Sequence, residues 1–163
     1  MTKYLIAGGA GFIGSHLIHR LVKAETKPSI IVYDNFSSGK LAHLEDILKT
    51  ADIQIIKADI KDLEKLTASL KGVDIVYHFA SNPDIAKAAT QPDIDIWEGT
   101  YLTNNVLEGM RINKVKKLIY ASGSGVYGDT ALLEVAEDYA PMTPISTYGA
   151  SKLACESLIC AYC

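Results

Sequence analysis

Short apolar runs alternate along this chain with longer segments in which apolar residues recur every three or four positions. The short runs predict buried strands, and the periodic segments predict helices that pack on a sheet. Five runs are typical of such strands: residues 3–7, 29–33, 53–58, 73–79 and 116–121. Because strand and helix alternate regularly, the pattern predicts an α/β fold with a doubly wound parallel sheet of the Rossmann type and right-handed crossovers.

Five helical segments separate or follow these strands. In the first, Ile13, Leu17 and Leu21 recur every four residues and predict one buried helix face. Apolar residues at 41, 44, 47 and 48 predict a second helix, and those at 63, 66 and 70 predict a third, which ends at Gly72. A fourth helix is predicted from about residue 92 to residue 113. A long polar loop, residues 122–147, then precedes a last helix that begins at Tyr148.

Length and charge narrow the class of protein. At 163 residues the chain is one domain's worth, and its formal net charge of −3 argues against nucleic acid or an anionic membrane as the main partner. No apolar run approaches the roughly 18 residues of a membrane span, and the chain enters its first strand directly, so we expect no signal peptide and a cytoplasmic location. Cys160 and Cys163 have a C-x-x-C spacing without a second ligand pair, so we expect free thiols and no metal site.

Three glycines follow the first strand at the spacing Gly8-x-x-Gly11-x-x-Gly14. The first glycine permits the tight turn out of the strand, and the second leaves the backbone open to a pyrophosphate. The third allows the next helix to pack close to the sheet, and the N-terminus of that helix presents unpaired N–H groups to the phosphates. The spacing therefore predicts the phosphate-binding turn of a dinucleotide site.

An acid at the end of the second strand favours this interpretation over a purely structural glycine turn. Asp34 follows the run 29–33, twenty residues after Gly14. A carboxylate at this place accepts hydrogen bonds from an adenosine ribose and repels the 2′-phosphate of NADP, so NAD is the predicted cofactor. Ligands of parallel sheets bind at the carboxyl ends of the strands. Asp59 and the segments 79–81 and 122–124 also follow strand ends and are predicted to lie at that edge.

The last helix opens with Tyr148-Gly-Ala-Ser-Lys152, which places a tyrosine and a lysine four residues apart on one helix face. An ammonium near a phenol favours the phenolate, as does the positive nicotinamide ring of NAD⁺, and a phenolate is a usable base near neutral pH. The spacing alone is more typical of a tyrosine–lysine pair on a helix surface than of a catalytic pair. The glycine turn and Asp34 upstream favour the catalytic interpretation.

These motifs together resemble the extended short-chain dehydrogenase/reductase family, in particular its NAD-dependent nucleotide-sugar epimerases and dehydratases. The resemblance runs in register from residue 3 to the end of the chain. The matching motifs are Gly8-Gly-Ala-Gly-Phe-Ile-Gly14, Asp34-Asn35 with Ser38-Gly39, Ala58-Asp59-Ile60, His78-Phe-Ala80, Tyr120-Ala-Ser with Val126-Tyr-Gly128, Glu137-Asp138 ahead of Pro144, and Tyr148-x-x-x-Lys152.

The resemblance implies a role for each motif. Tyr148 would be the base, and Lys152 its electrostatic partner and a ribose ligand. The family's catalytic serine or threonine position holds Gly123 here, so the candidates are its neighbours Ser122 and Ser124, of which Ser124 is preferred. The residues implied to bind NAD are Gly8, Gly11, Phe12, Ile13 and Gly14 at the pyrophosphate, Asp34, Asn35, Ser37, Ser38 and Gly39 at the adenosine ribose, Asp59 and Ile60 at the adenine, Phe79, Ala80 and Ser81 toward the nicotinamide, and Tyr148 and Lys152.

Two features depart from the family's pattern. The asparagine expected on the fourth helix is absent, and Glu98-Gly99-Thr100 stands in its place with no role assigned. Family members also continue beyond the tyrosine–lysine helix into further strands and a domain that binds the nucleotide sugar, whereas this sequence stops at Cys163. Residues 1–163 are therefore expected to form an NAD-binding domain without the family's C-terminal strands and substrate domain, and to be inactive alone.

The activity that the resemblance implies is that of a nucleotide-sugar 4-epimerase, with a UDP-sugar as substrate and a homodimer as assembly. A dehydratase or decarboxylase of the same family is one alternative. Those enzymes usually carry an acid just before their Val-Tyr-Gly motif, where Ser124 and Gly125 stand here, so an epimerase is favoured. A non-catalytic NAD-binding module is the other alternative, because a fold does not determine a function.

Overall fold

The computed structural model describes residues 1–131 and 134–163, so Leu132 and Leu133, inside the predicted polar loop, lie outside the described residues. The described chain forms two compact units. The first consists of Met1–Ala80 and Asn105–Tyr120, and the second of Ser81–Asn104 and Ala121–Cys163. That residues 1–163 are one NAD-binding domain stays a prediction.

The first unit is built on a parallel sheet of five strands. These are β1 (Lys3–Ala7), β2 (Ser29–Asp34), β3 (Asp52–Lys57), β4 (Ile75–His78) and β5 (Lys117–Tyr120). Their order in the sheet is β3-β2-β1-β4-β5, and every neighbouring pair is parallel. The sheet confirms the predicted α/β fold, and each strand lies within two residues of the run that predicted it.

The central strand β1 explains why these runs are apolar throughout. Leu5 pairs with Ile31 of β2 on one side and with Val76 of β4 on the other. Leu5 and its neighbour Ile6, whose side chains point to opposite faces of the sheet, are both fully buried. A strand covered on both faces has no polar side to show, so its sequence does not alternate. The outer strand β3, by contrast, has exposed and half-buried residues in turn.

The first helix, α1 (Phe12–Ala24), follows β1 directly and buries Gly14, Ser15, Ile18 and Leu21. The prediction that Ile13 begins the buried face of this helix was wrong, because Ile13 is 58% exposed. The buried face follows the spacing of Gly14, Ile18 and Leu21, which lie three and four residues apart. Phe12 and Ile13 therefore stand at the exposed start of the helix.

The predicted helix around Leu41–Leu48 is also absent from the structure. A single 3-10 turn, Leu41–His43, is followed by further turns in which Leu44 donates to the carbonyl of Leu41 and Ile47 to that of Leu44. The apolar spacing of 41, 44 and 47 suits such three-residue turns as well as it suits a helix. Leu44 and Ile47 are buried in the core of the unit, so the turns satisfy the pattern that predicted a helix.

Helix α2 (Leu63–Ser69) agrees with its prediction. The side chain of Asp62 accepts a hydrogen bond from the backbone N–H of Lys65 at 3.0 Å, which caps the first turn. Gly72 follows with φ +68°, a left-handed conformation that glycine adopts at little cost. The boundary signals at both ends of this helix are therefore local, which is why the sequence was sufficient to place it.

Within the described residues, the second unit contains the last helix and three short helical turns, and the helix after β4 crosses from the second unit into the first at Asn105. A π-helical turn, Ile96–Thr100, runs directly into α3 (Tyr101–Asn113), so this helix begins a few residues later than predicted. Two 3-10 turns, Ile85–Ala89 and Ser124–Val126, precede the last helix, α4 (Thr147–Tyr162). No helix within the described residues combines the length and the apolar character that crossing a bilayer requires.

Candidate functional site

The glycine turn after β1 is closely packed against the backbone of the first unit. Gly8 has φ +78°, and a Cβ there would lie 2.7 Å from the amide nitrogen of Ala80. A Cβ on Gly14 would lie 2.4 Å from the carbonyl oxygen of Gly8, so the first turn of α1 packs directly on the end of the strand. Side chains are therefore excluded at both positions for reasons of space, as the predicted phosphate-binding turn requires.

The N-terminus of α1 has the features of an anion-binding site. Gly11 is the N-cap residue and provides no side chain to cap the first turn of the helix. The side chain of Phe12, the first helical residue, is 75% exposed. Backbone N–H groups at a helix N-terminus attract negative charge, because they lack partners within the helix and because the helix dipole is positive there. The turn therefore fits a pyrophosphate.

Asp34, the acid at the end of β2, is joined to this turn. Its Oδ2 accepts a hydrogen bond of 2.9 Å from the backbone N–H of Ala10, and its Oδ1 accepts one of 2.8 Å from that of Phe36. The residue is 8% exposed. The carboxylate thus orders both the glycine turn and the loop after β2, and each oxygen keeps a lone pair that a ribose hydroxyl could use.

The other residues predicted to bind the adenosine lie in the same unit, at the carboxyl ends of β2 and β3. Asn35 donates from Nδ2 to Asp59 Oδ2 at 3.1 Å and accepts at Oδ1 from the backbone N–H of Ser37. Ser37 and Ser38 are exposed.

The loop after β2 packs on the glycine turn, because a Cβ on Gly39 would lie 2.9 Å from the Cβ of Ala10. Ile60 is buried, with 5% of its surface exposed.

The loop after β4 also reaches the glycine turn. The backbone N–H groups of Phe79 and Ala80 both donate to the carbonyl oxygen of Ala7, at 2.9 and 3.1 Å. Ser81, the third residue predicted at this place, is the first residue of the second unit. The structure therefore brings the predicted pyrophosphate, ribose and adenine residues and Phe79-Ala80 together within the first unit.

Tyr148 and Lys152 lie on the first turns of α4, in the second unit. The Nζ of Lys152 is 5.5 Å from the centroid of the Tyr148 ring and donates a hydrogen bond of 2.8 Å to the carbonyl oxygen of Ala121. Burial lowers the pKa of Lys152, because an ammonium loses hydration there. The helix begins at Ser146, whose side chain accepts from the backbone N–H of Gly149 at 3.0 Å. The predicted pair is therefore formed, with a buried lysine beside a half-buried tyrosine.

The two candidate serines have different surroundings. Ser122 is exposed and donates a hydrogen bond to the carboxylate of Glu156 on α4. Ser124 is exposed and opens the 3-10 turn Ser124–Val126. Close packing holds this turn against α4, because a Cβ on Gly149 would lie 2.4 Å from the carbonyl oxygen of Gly125. The turn that carries Ser124 is thus fixed to the helix that carries Tyr148.

A buried aspartate that the sequence did not single out lies beneath this helix. Asp95 is 1% exposed and accepts hydrogen bonds of 2.8 Å from the amide of Asn82 and from the hydroxyl of Thr147. Its carbonyl oxygen accepts a bond of 2.6 Å from the hydroxyl of Ser151. These contacts join α4 to the start of the π-helical turn. The one sequence signal for a buried acid here is that Asp95 stands between two isoleucines, Ile94 and Ile96.

A parallel sheet with such a glycine turn, and with a carboxylate at the end of the second strand, is typical of dinucleotide-binding folds. Comparison with known proteins agrees. The family model described as "NAD dependent epimerase/dehydratase family" matches residues 4–163, and the chain belongs to that family.

Individual relatives are UDP-sugar epimerases. The UDP-glucose 4-epimerase of Corynebacterium glutamicum is 30% identical over 161 residues, which are 98% of this chain and 46% of the relative. The UDP-Glc/GlcNAc 4-epimerase of Campylobacter jejuni superposes with a TM-score of 0.92 at 31% identity, over 99% of this chain and 49% of its own. The UDP-glucose 4-epimerase of Brucella ovis in complex with NAD superposes with a TM-score of 0.88 at 27% identity, over 99% of this chain and 48% of its own. The chain thus spans about half the length of these relatives.

Proposed function

We propose that the first unit of this chain binds NAD. The observation that carries the proposal is the glycine turn, whose uncapped helix start is ordered by the carboxylate of Asp34. The Brucella ovis relative is in complex with NAD, which supports the same cofactor here. Asp34, Asn35 and Asp59 would hold the adenosine ribose and the adenine, and the N-terminus of α1 would hold the pyrophosphate.

We further propose that the protein to which this chain belongs is a 4-epimerase of nucleotide sugars, with UDP-sugars as its substrates. The named activities of the Corynebacterium glutamicum and Campylobacter jejuni relatives support this reaction. The chemistry that bound NAD would supply is reversible hydride transfer with the sugar. Tyr148 would take the proton from the 4-hydroxyl and give it back, and the Lys152 ammonium would favour its phenolate.

Of the two serines, we propose Ser124 as the one that hydrogen-bonds the sugar oxygen. The hydroxyl of Ser122 already donates to Glu156, and Ser124 lies on the turn that packs on α4. A Ser124→Ala variant should then lose more turnover than a Ser122→Ala variant. Equal losses, or a larger loss for Ser122→Ala, would reverse the assignment.

A homodimer is proposed from exposed apolar residues on the helix that begins with the π-helical turn. Ile96 and Trp97 are 56% and 51% exposed, and the Trp97 ring packs edge-on against Tyr101 with 5.5 Å between ring centroids. Large exposed aromatic residues of this kind are typical of interfaces. Sedimentation of wild type against Trp97→Asp tests the assembly, since a dimer formed through this face should dissociate in the variant.

The direct test of the activity is to incubate the protein with NAD and either UDP-glucose or UDP-galactose. The assay should be run on this chain and on any longer form of the protein that contains it. Appearance of the other sugar nucleotide would support the epimerase. Loss of the sugar to a dehydrated product would instead identify a dehydratase, and NAD binding without turnover in every form would identify a binding module.

A further inference from the structure

The peptide groups on both sides of Ala10, between the glycines of the turn, are held by hydrogen bonds. The N–H of Ala10 donates to Asp34 Oδ2 at 2.9 Å. Its carbonyl oxygen accepts from the backbone N–H of Lys40 at 3.0 Å and lies 2.9 Å from Nδ1 of His43. Ala10 itself is fully buried. The conformation of the glycine turn is therefore set from outside the turn, by the loop that follows β2.

His43 is the only side chain among these contacts besides Asp34. It lies at the end of the 3-10 turn Leu41–His43, and its backbone N–H donates to the carbonyl of Lys40 at 3.1 Å. Its own carbonyl oxygen lies 3.1 Å from Nε2 of His19 on α1. The backbone carbonyl of His43 is thus joined to α1 through His19, whereas its imidazole contacts the glycine turn.

The contact with Ala10 fixes which atom of the imidazole carries hydrogen. A carbonyl oxygen only accepts, so Nδ1 of His43 must be protonated to bond to it. A donor at this place holds the carbonyl of Ala10 in one direction and, through the shared peptide plane, the N–H of Gly11 in the opposite one. Gly11 is the N-cap residue of α1, next to the backbone that a pyrophosphate would meet.

We propose that His43 is a positioning residue for the pyrophosphate-binding turn, acting through the hydrogen bond from its Nδ1 to the carbonyl of Ala10. The inference rests on the proposed binding of NAD by this unit. Loss of the donor would leave a buried carbonyl with one partner, the N–H of Lys40, instead of two. The turn would then be held less firmly, and part of its ordering would fall to NAD binding.

Three variants separate the hydrogen bond from the bulk of the ring. In His43→Asn an amide nitrogen can take the place of Nδ1, because both are bonded to Cγ. In His43→Leu the donor is lost and most of the volume is kept. Leu41→Ala alters an exposed side chain of the same 3-10 turn and serves as the control. By calorimetry we expect NAD to bind about tenfold more weakly to His43→Leu and within about threefold of wild type to the other two.

Backbone hydrogen exchange gives a second readout that needs no cofactor. The N–H of Gly11 donates to the carbonyl of Gly8 at 3.2 Å and that of Ala10 donates to Asp34, so both should exchange slowly in wild type. Faster exchange at these two amides in His43→Leu, restored by His43→Asn, would support the proposal. Equal affinity and exchange in His43→Leu and wild type would overturn it, as would a His43→Asn variant as impaired as His43→Leu. Slow exchange without any NAD binding in wild type would contradict the proposed cofactor rather than the role of His43.

Discussion

The hydroxyl of Ser151 occupies the place where a side chain at Gly99 would begin. A Cβ built on Gly99 would lie 2.4 Å from Ser151 Oγ, which is too close, and 3.6 Å from Ser151 Cβ, which is ordinary contact. Of the Ser151 side chain, only the hydroxyl would therefore clash with a side chain at position 99. That hydroxyl donates to the carbonyl of Asp95 at 2.6 Å and lies 2.9 Å from the hydroxyl of Thr100. Gly99 therefore permits a buried hydrogen bond between α4 and the start of the π-helical turn.

This relationship predicts a change of sign in a double-mutant cycle. Gly99→Ala should destabilise the wild-type protein by about 1–2 kcal/mol, because Ser151 must rotate and give up its hydrogen bonds. In a Ser151→Ala background the same substitution should stabilise by up to about 1 kcal/mol, since alanine is the better helix former. Urea denaturation of the four proteins measures both effects. The same cost in both backgrounds would show that the contact does not determine the choice of glycine.

Asp34 predicts the choice of cofactor. Wild-type protein should bind NAD at least about a hundredfold more tightly than NADP. In its proposed role the Asp34 carboxylate would repel the 2′-phosphate of NADP, and it would also lack the 2′-hydroxyl that the ribose of NAD offers as a hydrogen-bond donor. Asp34→Asn should narrow the ratio to about tenfold or less, and should also weaken NAD, since an amide cannot accept from both Ala10 and Phe36 through its two terminal atoms.

Calorimetry with both cofactors checks this expectation. The matched control is Asp46→Asn, which makes the same change of charge at a side chain that is 71% exposed and lies 3.5 Å from His19. Its NAD-to-NADP ratio should equal that of wild type. Equal affinity of the wild-type protein for the two cofactors would rule out the ribose role of Asp34.

The free energy of unfolding should decrease at alkaline pH because two tyrosines are buried. Burial, assisted by Asp62 and Asp59, raises the pKa of Tyr33 to about 12. Burial and the neighbouring Glu25 raise the pKa of Tyr4 to about 12. Each phenol ionises more readily in the unfolded chain, so the stability that it contributes is complete below about pH 10 and is lost as the pH rises toward 12.

Tyr33→Phe should reduce this alkaline loss by up to about 2–3 kcal/mol, the free energy that two pKa units represent. Chemical denaturation at several pH values between 9 and 12 measures the difference between variant and wild type. Tyr4→Phe should reduce the remaining loss again. Parallel stability curves for all three proteins would mean that neither phenol is protected by the fold.

A feature of this structure could be predicted from the sequence when the residues that determine it lie close together along the chain. The strands, the glycine turn and α2 have local signals: a run of apolar residues, a spacing or a cap. The turns after Leu41 were mistaken for a helix because three-residue apolar spacing suits both structures. The hydrogen bond between His43 and Ala10 spans 33 residues and that between Thr147 and Asp95 spans 52, and no periodicity along the chain encodes such pairs.

Tyr148 and Lys152 should give different patterns of loss in turnover and NAD affinity when they are replaced. In a form of the protein with epimerase activity, Tyr148→Phe removes the phenol proposed to take the sugar's proton. This variant should lose a factor of roughly 10² to 10⁴ in turnover, with NAD affinity little changed. Lys152→Met should lower both turnover and NAD affinity, because in the proposed mechanism the ammonium would serve both the base and the ribose. Steady-state rates and calorimetry distinguish the two.

Stability gives the third measurement on the same pair. Burial lowers the pKa of Lys152, so the charged form of this lysine destabilises the folded protein. The free energy of unfolding should therefore rise as the pH increases from that lowered pKa toward the pKa of a free lysine, because the proton is lost from the folded protein first. Lys152→Met removes the buried charge and keeps most of the chain length. The variant should therefore be as stable as wild type at neutral pH or more so, and should lack this rise. A variant that loses both stability and turnover would instead show that Lys152 supports the fold through its bond to Ala121, and its loss of activity could no longer be assigned to the chemistry.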